Sequence, residues 1–357
     1  MVHADNRAEK LRRVIISKKI DALLVTNIKN VRYLTGFTGS SAFVVITRDG
    51  SYFVTDFRYT EQAENEVKGC ELGLESAGRI AVIKSMVRKL GISRLGFESG
   101  ATYEFYEQLK RLPVRLSAQK GLVEDLRMVK DAQELSSIRE AIRRAEEAFL
   151  ATKPFIRAGV TERAVGLRLE EELKKRGCRH AAFDIIVASG KHSSMPHAGQ
   201  TGKKIGKGDF VIIDWGGEAD GYYSDMTRTL LMAGPDLEQK KKIYNIVNRA
   251  REKAVQAVSA GRGSSEVDAA ARKFIADAGF GDFFGHGTGH GIGLDVHEAP
   301  RISRTANRPL AEGMVFSIEP GIYLPGVGGV RIEDLVLVEG RGIILTSLGR
   351  RIEITGR

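Results

Sequence analysis

Cysteine is scarce: the chain carries two, Cys70 and Cys178, far apart in its 357 residues. That excludes a disulfide framework and a zinc site built from four thiolates. It fits a reducing compartment. Aromatic residues are few, 7% with one tryptophan, so nothing suggests a carbohydrate platform or a base-stacking surface. No stretch approaches the ~20 apolar residues of a membrane span. The N-terminal stretch, with Asp5, Arg7, Glu9, Lys10, Arg12 and Arg13, lacks the apolar centre of a secretory signal. The expectation is a cytoplasmic protein with no membrane partner.

Hydrophobic residues make up 42% and charged residues 28%, ordinary for a soluble chain able to build sizeable cores. The formal charge of +10 raises the question of nucleic acid. Basic residues are interspersed with acidic ones, as around Lys240-Lys241-Lys242, so a bland basic surface and no nucleic-acid partner are expected.

Residues 7–20 have the apolar spacing of an amphipathic helix. Strand-like runs follow at Ala22 to Val25, Ala42 to Thr47 and Tyr52 to Asp56, with Asp49-Gly50 as a hairpin signal between the last two. Helices near 57–68, 79–90 and 102–111, with a strand from Arg94 to Glu98, complete one α/β domain. Pro113 and the stretch 114–124 read as the end of that pattern, so the domains are expected at 1–124 and 125–357. In the second, helices near 131–152, 161–176, 236–259 and 264–278 alternate with β-rich segments.

An internal repeat lies in those β-rich segments. Gly208 to Asp214 matches Gly313 to Glu319: a glycine, a mostly apolar strand, then a carboxylate. A glycine-rich turn follows each copy, then a second carboxylate, Asp225 or Glu333. Two strand–turn–strand units suggest a pseudosymmetric domain with a shared site. A carboxylate closing an apolar strand is costly to bury unless it is paired or metal-bound. Four such groups in two matching hairpins repel one another, and shared protons or divalent cations relieve that repulsion.

Five of the seven histidines fall in two regions, His192 with His197 and His286 with His290 and His297. The second region alternates with glycines from Gly285 to Gly293, which lets backbones or ligands approach closely. It is neither a dinucleotide fingerprint nor a zincin motif. Carboxylates with imidazole and no thiolate suit manganese, cobalt, iron or zinc.

The motifs Asp214-Trp215-Gly216-Gly217, Ser224-Asp225-Met226-Thr227-Arg228-Thr229, His286 through His297, Ser317-Ile318-Glu319-Pro320-Gly321 and Arg331-Ile332-Glu333-Asp334 resemble those of the pita-bread metallopeptidases. That group includes methionine aminopeptidase, aminopeptidase P and prolidase. Its ordered ligands Asp, Asp, His, Glu, Glu fall on Asp214, Asp225, His290, Glu319 and Glu333. Residues 1–124 resemble the creatinase-type N-terminal domain, with Asn30 to Phe37 as the best marker. The resemblance implies an α/β N-terminal domain and an α+β pita-bread catalytic domain with pseudo-two-fold symmetry. It also implies two divalent cations, manganese first and cobalt or zinc after it, that share and acidify a bridging water.

By the same resemblance, Asp225 and Glu333 bridge the ions, His290 and Glu319 complete one, and Asp214 chelates the other. Glu319 shuttles the proton, while His197 and His297 contact the scissile carbonyl. His286 belongs to the substrate pocket. Arg301 stands where prolidases clamp a dipeptide's carboxylate; a surface salt bridge is its plainer reading. His192 reads as a surface residue. The implied activity is an Xaa-Pro aminopeptidase acting on peptides with proline second, with Xaa-Pro dipeptidase as the alternative and a homodimer as the expected assembly. Methionine aminopeptidase usually lacks the first domain, creatinase lacks the ligands, and non-catalytic pita-bread binding modules lose ligands that this chain keeps.

Overall fold

The computed structural model describes residues 2–235 and 237–356, with side chains described from Arg7 onward. Asp236, the first residue of one expected helix, and the side chain of Asp5 lie outside the described residues. Contacts divide the chain into Met1–Arg127 and Met128–Arg357.

The first unit is a six-stranded mixed sheet ordered β4-β3-β2-β1-β5-β6. Its strands are β1 (Ala22–Val25), β2 (Ala42–Thr47), β3 (Ser51–Thr55), β4 (Glu71–Leu74), β5 (Arg94–Glu98) and β6 (Arg115–Gln119). Its helices are α1 (Val2–Ser17), α2 (Ile28–Thr35), α3 (Thr60–Glu66), α4 (Arg79–Lys89), α5 (Tyr103–Leu109) and α6 (Leu122–Arg127). The expected hairpin joins β2 to β3, where the Thr47 hydroxyl oxygen accepts from the amides of Asp49 and Gly50. The stretch 114–124 does not end the α/β pattern. It supplies β6, which pairs in parallel with β5. β6 and β4 are the two edge strands; β4 is exposed at all four positions, so neither carries a strong apolar pattern. The marker segment from Asn30 lies mainly in α2, whose buried Asn30 donates to Glu98 and Glu124 and accepts from Arg127. That bond ties the end of α6 to the first unit, which runs to Arg127.

The second unit is built twice over. Its first half runs α7 (Ala132–Thr152), α8 (Glu162–Lys175), β7 (Ile186–Ser189) and β8 (Phe210–Trp215). A two-stranded ribbon follows, β9 (Glu218–Ala219) with β10 (Tyr222–Tyr223), and then β11 (Met226–Met232). The second half runs α9 (Leu237–Ala257), α10 (Ser264–Asp277), β12 (Gly289–Gly291), β13 (Glu298–Ile302) and β14 (Val315–Ile318). A ribbon follows again, β15 (Gly321–Leu324) with β16 (Gly328–Arg331), and then β17 (Asp334–Glu339). β18 (Arg341–Ile344) and β19 (Ile354–Thr355) complete two sheets, β19-β11-β8-β7 and β13-β12-β14-β17-β18. In each half the inner pair is antiparallel, β8 with β11 and β14 with β17. The ribbons emerge where Asp214, Asp225, Glu319 and Glu333 lie.

Two buried anchors hold this frame. Trp215 is fully buried, stacks on Phe149 with ring centroids 4.5 Å apart, and donates its indole N–H to the Ala145 carbonyl at 2.9 Å. Asp334 is fully buried and accepts from Arg228, Arg251, Arg350 and the Thr346 hydroxyl at 2.7–2.8 Å. Burial opposes its ionisation, but the three guanidiniums outweigh that and hold its pKa at about 2. Arg228 also donates to the Glu333 carbonyl at 2.6 Å, so this hub fixes the backbone of a candidate ligand.

Trp215→Ala should destabilise the second unit by about 3–5 kcal/mol, as large aromatic truncations in cores do. Denaturant unfolding followed by far-UV circular dichroism checks this; an unchanged midpoint would contradict the anchoring role.

Candidate metal centre

Four of the five expected ligands stand at or beside a strand end, and His290 stands within a strand. Asp214 lies on β8 opposite Thr227 of β11, and Asp225 immediately precedes β11. Glu319 follows β14, and Glu333 precedes β17. His290 lies on β12, whose neighbours approach very closely: a Cβ on Gly289 would stand 1.8 Å from the Ser317 carbonyl oxygen. One on Gly291 would stand 2.1 Å from that of Ala299. The alternating glycines therefore serve backbone packing around the imidazole.

Ligand atoms of Asp225, His290 and Glu333 lie within 4.8 Å of one another. His290 Nε2 is 3.6 Å from Asp225 Oδ2 and 3.3 Å from Glu319 Oε1. Thr227 donates its hydroxyl to Glu333 Oε2 at 2.7 Å, and Ser317 donates to Glu319 Oε1 at 3.0 Å. Asp214 Oδ2 accepts from Arg331 at 2.6 Å.

Three buried carboxylate oxygens remain without a hydrogen-bond partner among the described residues: Asp214 Oδ1, Asp225 Oδ1 and Glu333 Oε1. A buried acceptor without a partner is costly, and three on neighbouring acids are not relieved by local packing. Burial pushes the carboxyls of Asp225 and Glu333 well above the ordinary range, and the neighbouring acids add to it. Burial also raises Glu319, against the pull of His286 and Arg331. Burial lowers His290, keeping the imidazole neutral as a nitrogen ligand requires. The donor set fits divalent cations: hard oxygens, one neutral imidazole, no sulfur.

The remaining expected site residues fall as follows. His297 is exposed, its ring centroid 4.3 Å from that of His290. His197 is exposed and lines a cavity of about 690 Å³ with Phe183, Ile186 and Gln200. His286 is half-buried with both nitrogens engaged, Nδ1 by the Gly287 carbonyl and Nε2 by the Tyr323 hydroxyl at 3.0 Å. It can therefore meet a ligand by contact and by placing Tyr323. Arg301 is exposed and sits directly opposite His290 in the β12–β13 register. His192 is not a surface residue: it is half-buried against Glu162, which is itself fully buried.

Several partners of the site were not anticipated. Arg331 is buried and donates to Asp214, Thr227, Tyr323 and the Pro196 carbonyl. Arg331, Thr227 and Ser317 each lie two residues from a candidate ligand: Glu333, Asp225 and Glu319. In a strand that spacing places side chains on one face, so the period of two was the available signal.

The raised carboxyls carry a pH consequence. In metal-free protein the folded chain holds protons that the unfolded chain releases, so stability falls as pH rises above the ordinary carboxylate range. Chelator-treated protein should melt at progressively lower temperature towards neutral pH, and added manganese should reverse the trend. Asp225→Asn should flatten the slope and lose the manganese response. A metal-free melting temperature that rises with pH would contradict the burial of these acids.

Comparison with known proteins places these residues in context. Residues 136–340 match the model of metallopeptidase family M24, and residues 7–129 match the creatinase/prolidase N-terminal domain. A protein of Pyrococcus horikoshii named Xaa-Pro dipeptidase is 37% identical, over 94% of this chain and 95% of its own. The solved Xaa-Pro dipeptidase from Bacillus anthracis is 40% identical with a TM-score of 0.96, over 99% of this chain and all of its own. An X-Pro aminopeptidase from Thermotoga maritima is 38% identical with a TM-score of 0.87, over 98% and 99%. No described helix is long and apolar enough to cross a membrane. With its creatinase-type first domain and its doubled second domain of prolidase-like fold, the chain belongs to metallopeptidase family M24.

Proposed function

We propose that the protein hydrolyses Xaa-Pro dipeptides, with Asp214, Asp225, His290, Glu319 and Glu333 holding two divalent cations. Manganese is the first choice, with cobalt and zinc compatible with the same donors. This reverses the order given by sequence motifs alone, where the aminopeptidase came first. The observation that carries it is Arg301. Residues directly opposite in an antiparallel pair share a face, so Arg301 stands on the face of His290. It is exposed and has no hydrogen-bond or ion-pair partner among the described residues, so the salt-bridge reading loses its support. A free guanidinium beside the ligands suits a dipeptide's terminal carboxylate through bidentate hydrogen bonds. Two of the three relatives described above also bear the dipeptidase name.

Bound cations would supply a water of lowered pKa and polarise the scissile carbonyl. The chain's own groups do the rest. Asp225 and Glu333, one from each half of the repeat, would hold the cations with the oxygens that have no protein partner. Glu319 Oε1 is engaged by Ser317, so Oε2 is the atom left to take a proton and deliver it to the proline nitrogen. His197 and His297, exposed on the open side, hydrogen-bond the carbonyl oxygen as it gains charge. The Tyr323 hydroxyl is held between His286 and Arg331. A homodimer is the assembly we infer from the family, and light scattering measures it directly.

Metal-free protein reloaded with manganese should cleave an Xaa-Pro dipeptide and act poorly on Xaa-Pro-Xaa peptides. Arg301→Ala should raise KM for the dipeptide about 10–100-fold, the loss expected for hydrogen bonds to a charged group. Equal turnover of the longer peptide, with Arg301→Ala silent, would make the enzyme an aminopeptidase. No cleavage with any of the three metals would remove the peptidase reading.

A further inference from the structure

Glu162 and His192 have no part in the chemistry above, yet they form a heavily hydrogen-bonded pair around a buried carboxylate. Glu162 opens α8 and is fully buried. It accepts the Ser189 amide and hydroxyl at 2.8 Å each, the Thr201 hydroxyl at 2.5 Å and His192 Nδ1 at 2.9 Å. Lys203 joins from outside, donating to the Ser189 hydroxyl at 2.6 Å and pairing with Asp209. Ser189 and Thr201 bracket segment 190–201, and His192 lies within it. One carboxylate therefore closes both ends of the segment and pins a point inside it.

That segment reaches the metal face at three places. Ser193 accepts the Gly329 amide at 2.8 Å, and a Cβ on Gly329 would stand 2.1 Å from the Ser193 carbonyl oxygen. The Pro196 carbonyl accepts from Arg331, the guanidinium that holds Asp214. The next residue is His197. Backbone contact this close transmits a shift of the segment without slack.

We propose that His192 is a positioning residue: through Glu162 it fixes segment 190–201 and so holds His197 in register with the metal face. The proposal rests on the reading of His197 given above. His192 acts by donating from Nδ1, and the three Ser189 and Thr201 bonds keep Glu162 satisfied when the imidazole is removed. The fold therefore survives the change, and what is lost is the placement of the segment.

The test is a double-mutant cycle on manganese-loaded enzyme with an Xaa-Pro dipeptide. His192→Ala should lower kcat about 10–100-fold with KM and metal content little changed, the size of effect that a small misplacement of a catalytic group produces. His192→Asn, whose side-chain amide can donate where Nδ1 does, should recover most of the loss; His192→Gln, whose amide lies farther out, should not. The double variant with His197→Ala should be no slower than His197→Ala alone, because both act through one group. If His192→Ala fails to fold, the Asn and Gln variants carry the same comparison. Additive losses, or equal activity of the Asn and Gln variants, would overturn the positioning role. A silent His197→Ala beside a slow His192→Ala would instead remove the reading of His197.

Discussion

Everything in the second unit answers to one constraint: several carboxylates are brought together where water cannot screen them. Asp225 and Glu333 are buried and unpartnered at one oxygen each, and their neighbours Asp214 and Glu319 add repulsion. Left alone, such a cluster takes up protons or opens. A cation pair would remove the conflict, so the same geometry that burdens the metal-free chain would stabilise the loaded one. The protein meets the remainder with fixed groups: Arg331 on Asp214, and the Thr227 and Ser317 hydroxyls on Glu333 and Glu319.

Behind that layer stands a second, positively charged one. Arg228, Arg251 and Arg350 converge on Asp334, next in sequence to Glu333. Because Arg228 also holds the Glu333 carbonyl, the hub fixes the main chain while the hydroxyls fix the carboxylate. Residues that orient ligands in this way govern a metal site as much as the ligands do. Asp268 on α10 plays a similar part for the glycine-rich loop, accepting from Arg272 and from the amide and hydroxyl of Thr288.

The legible parts of the chain were those where a costly residue stands in a strong pattern. Asp214 after an apolar run and Glu319 after another could be read because burial of either needs a reason, and the matching hairpins gave that reason twice. The long helices were readable from their period. What escaped was cooperative. β4 and β6 are edge strands whose side chains face solvent on too many positions to show alternation. α2 is short, and its start depends on one Asn27 side-chain bond. His192 looked like a surface residue because its burial comes from Glu162, distant in sequence. Arg331 stood within a motif without a role because only the fold brings Asp214 and Tyr323 to it. The motifs that ranked aminopeptidase above dipeptidase do not show strand register, which sets Arg301 opposite His290.

The doubled architecture has a consequence for how such a protein could arise. Each half supplies a helix pair, a strand, a ribbon, a second strand and two of the four carboxylates, and neither half holds a complete set. If the halves descend from one duplicated segment, the ancestral half-length chain could have held the ions only by pairing with a second copy of itself. Such an ancestor would have been symmetric and unable to tell one end of a peptide from the other. The present chain has lost that symmetry: Arg331 stands two residues before Glu333, whereas Tyr223 stands two before Asp225. On that history, fusion into one chain would have let the two halves diverge and given the site a direction along its substrate.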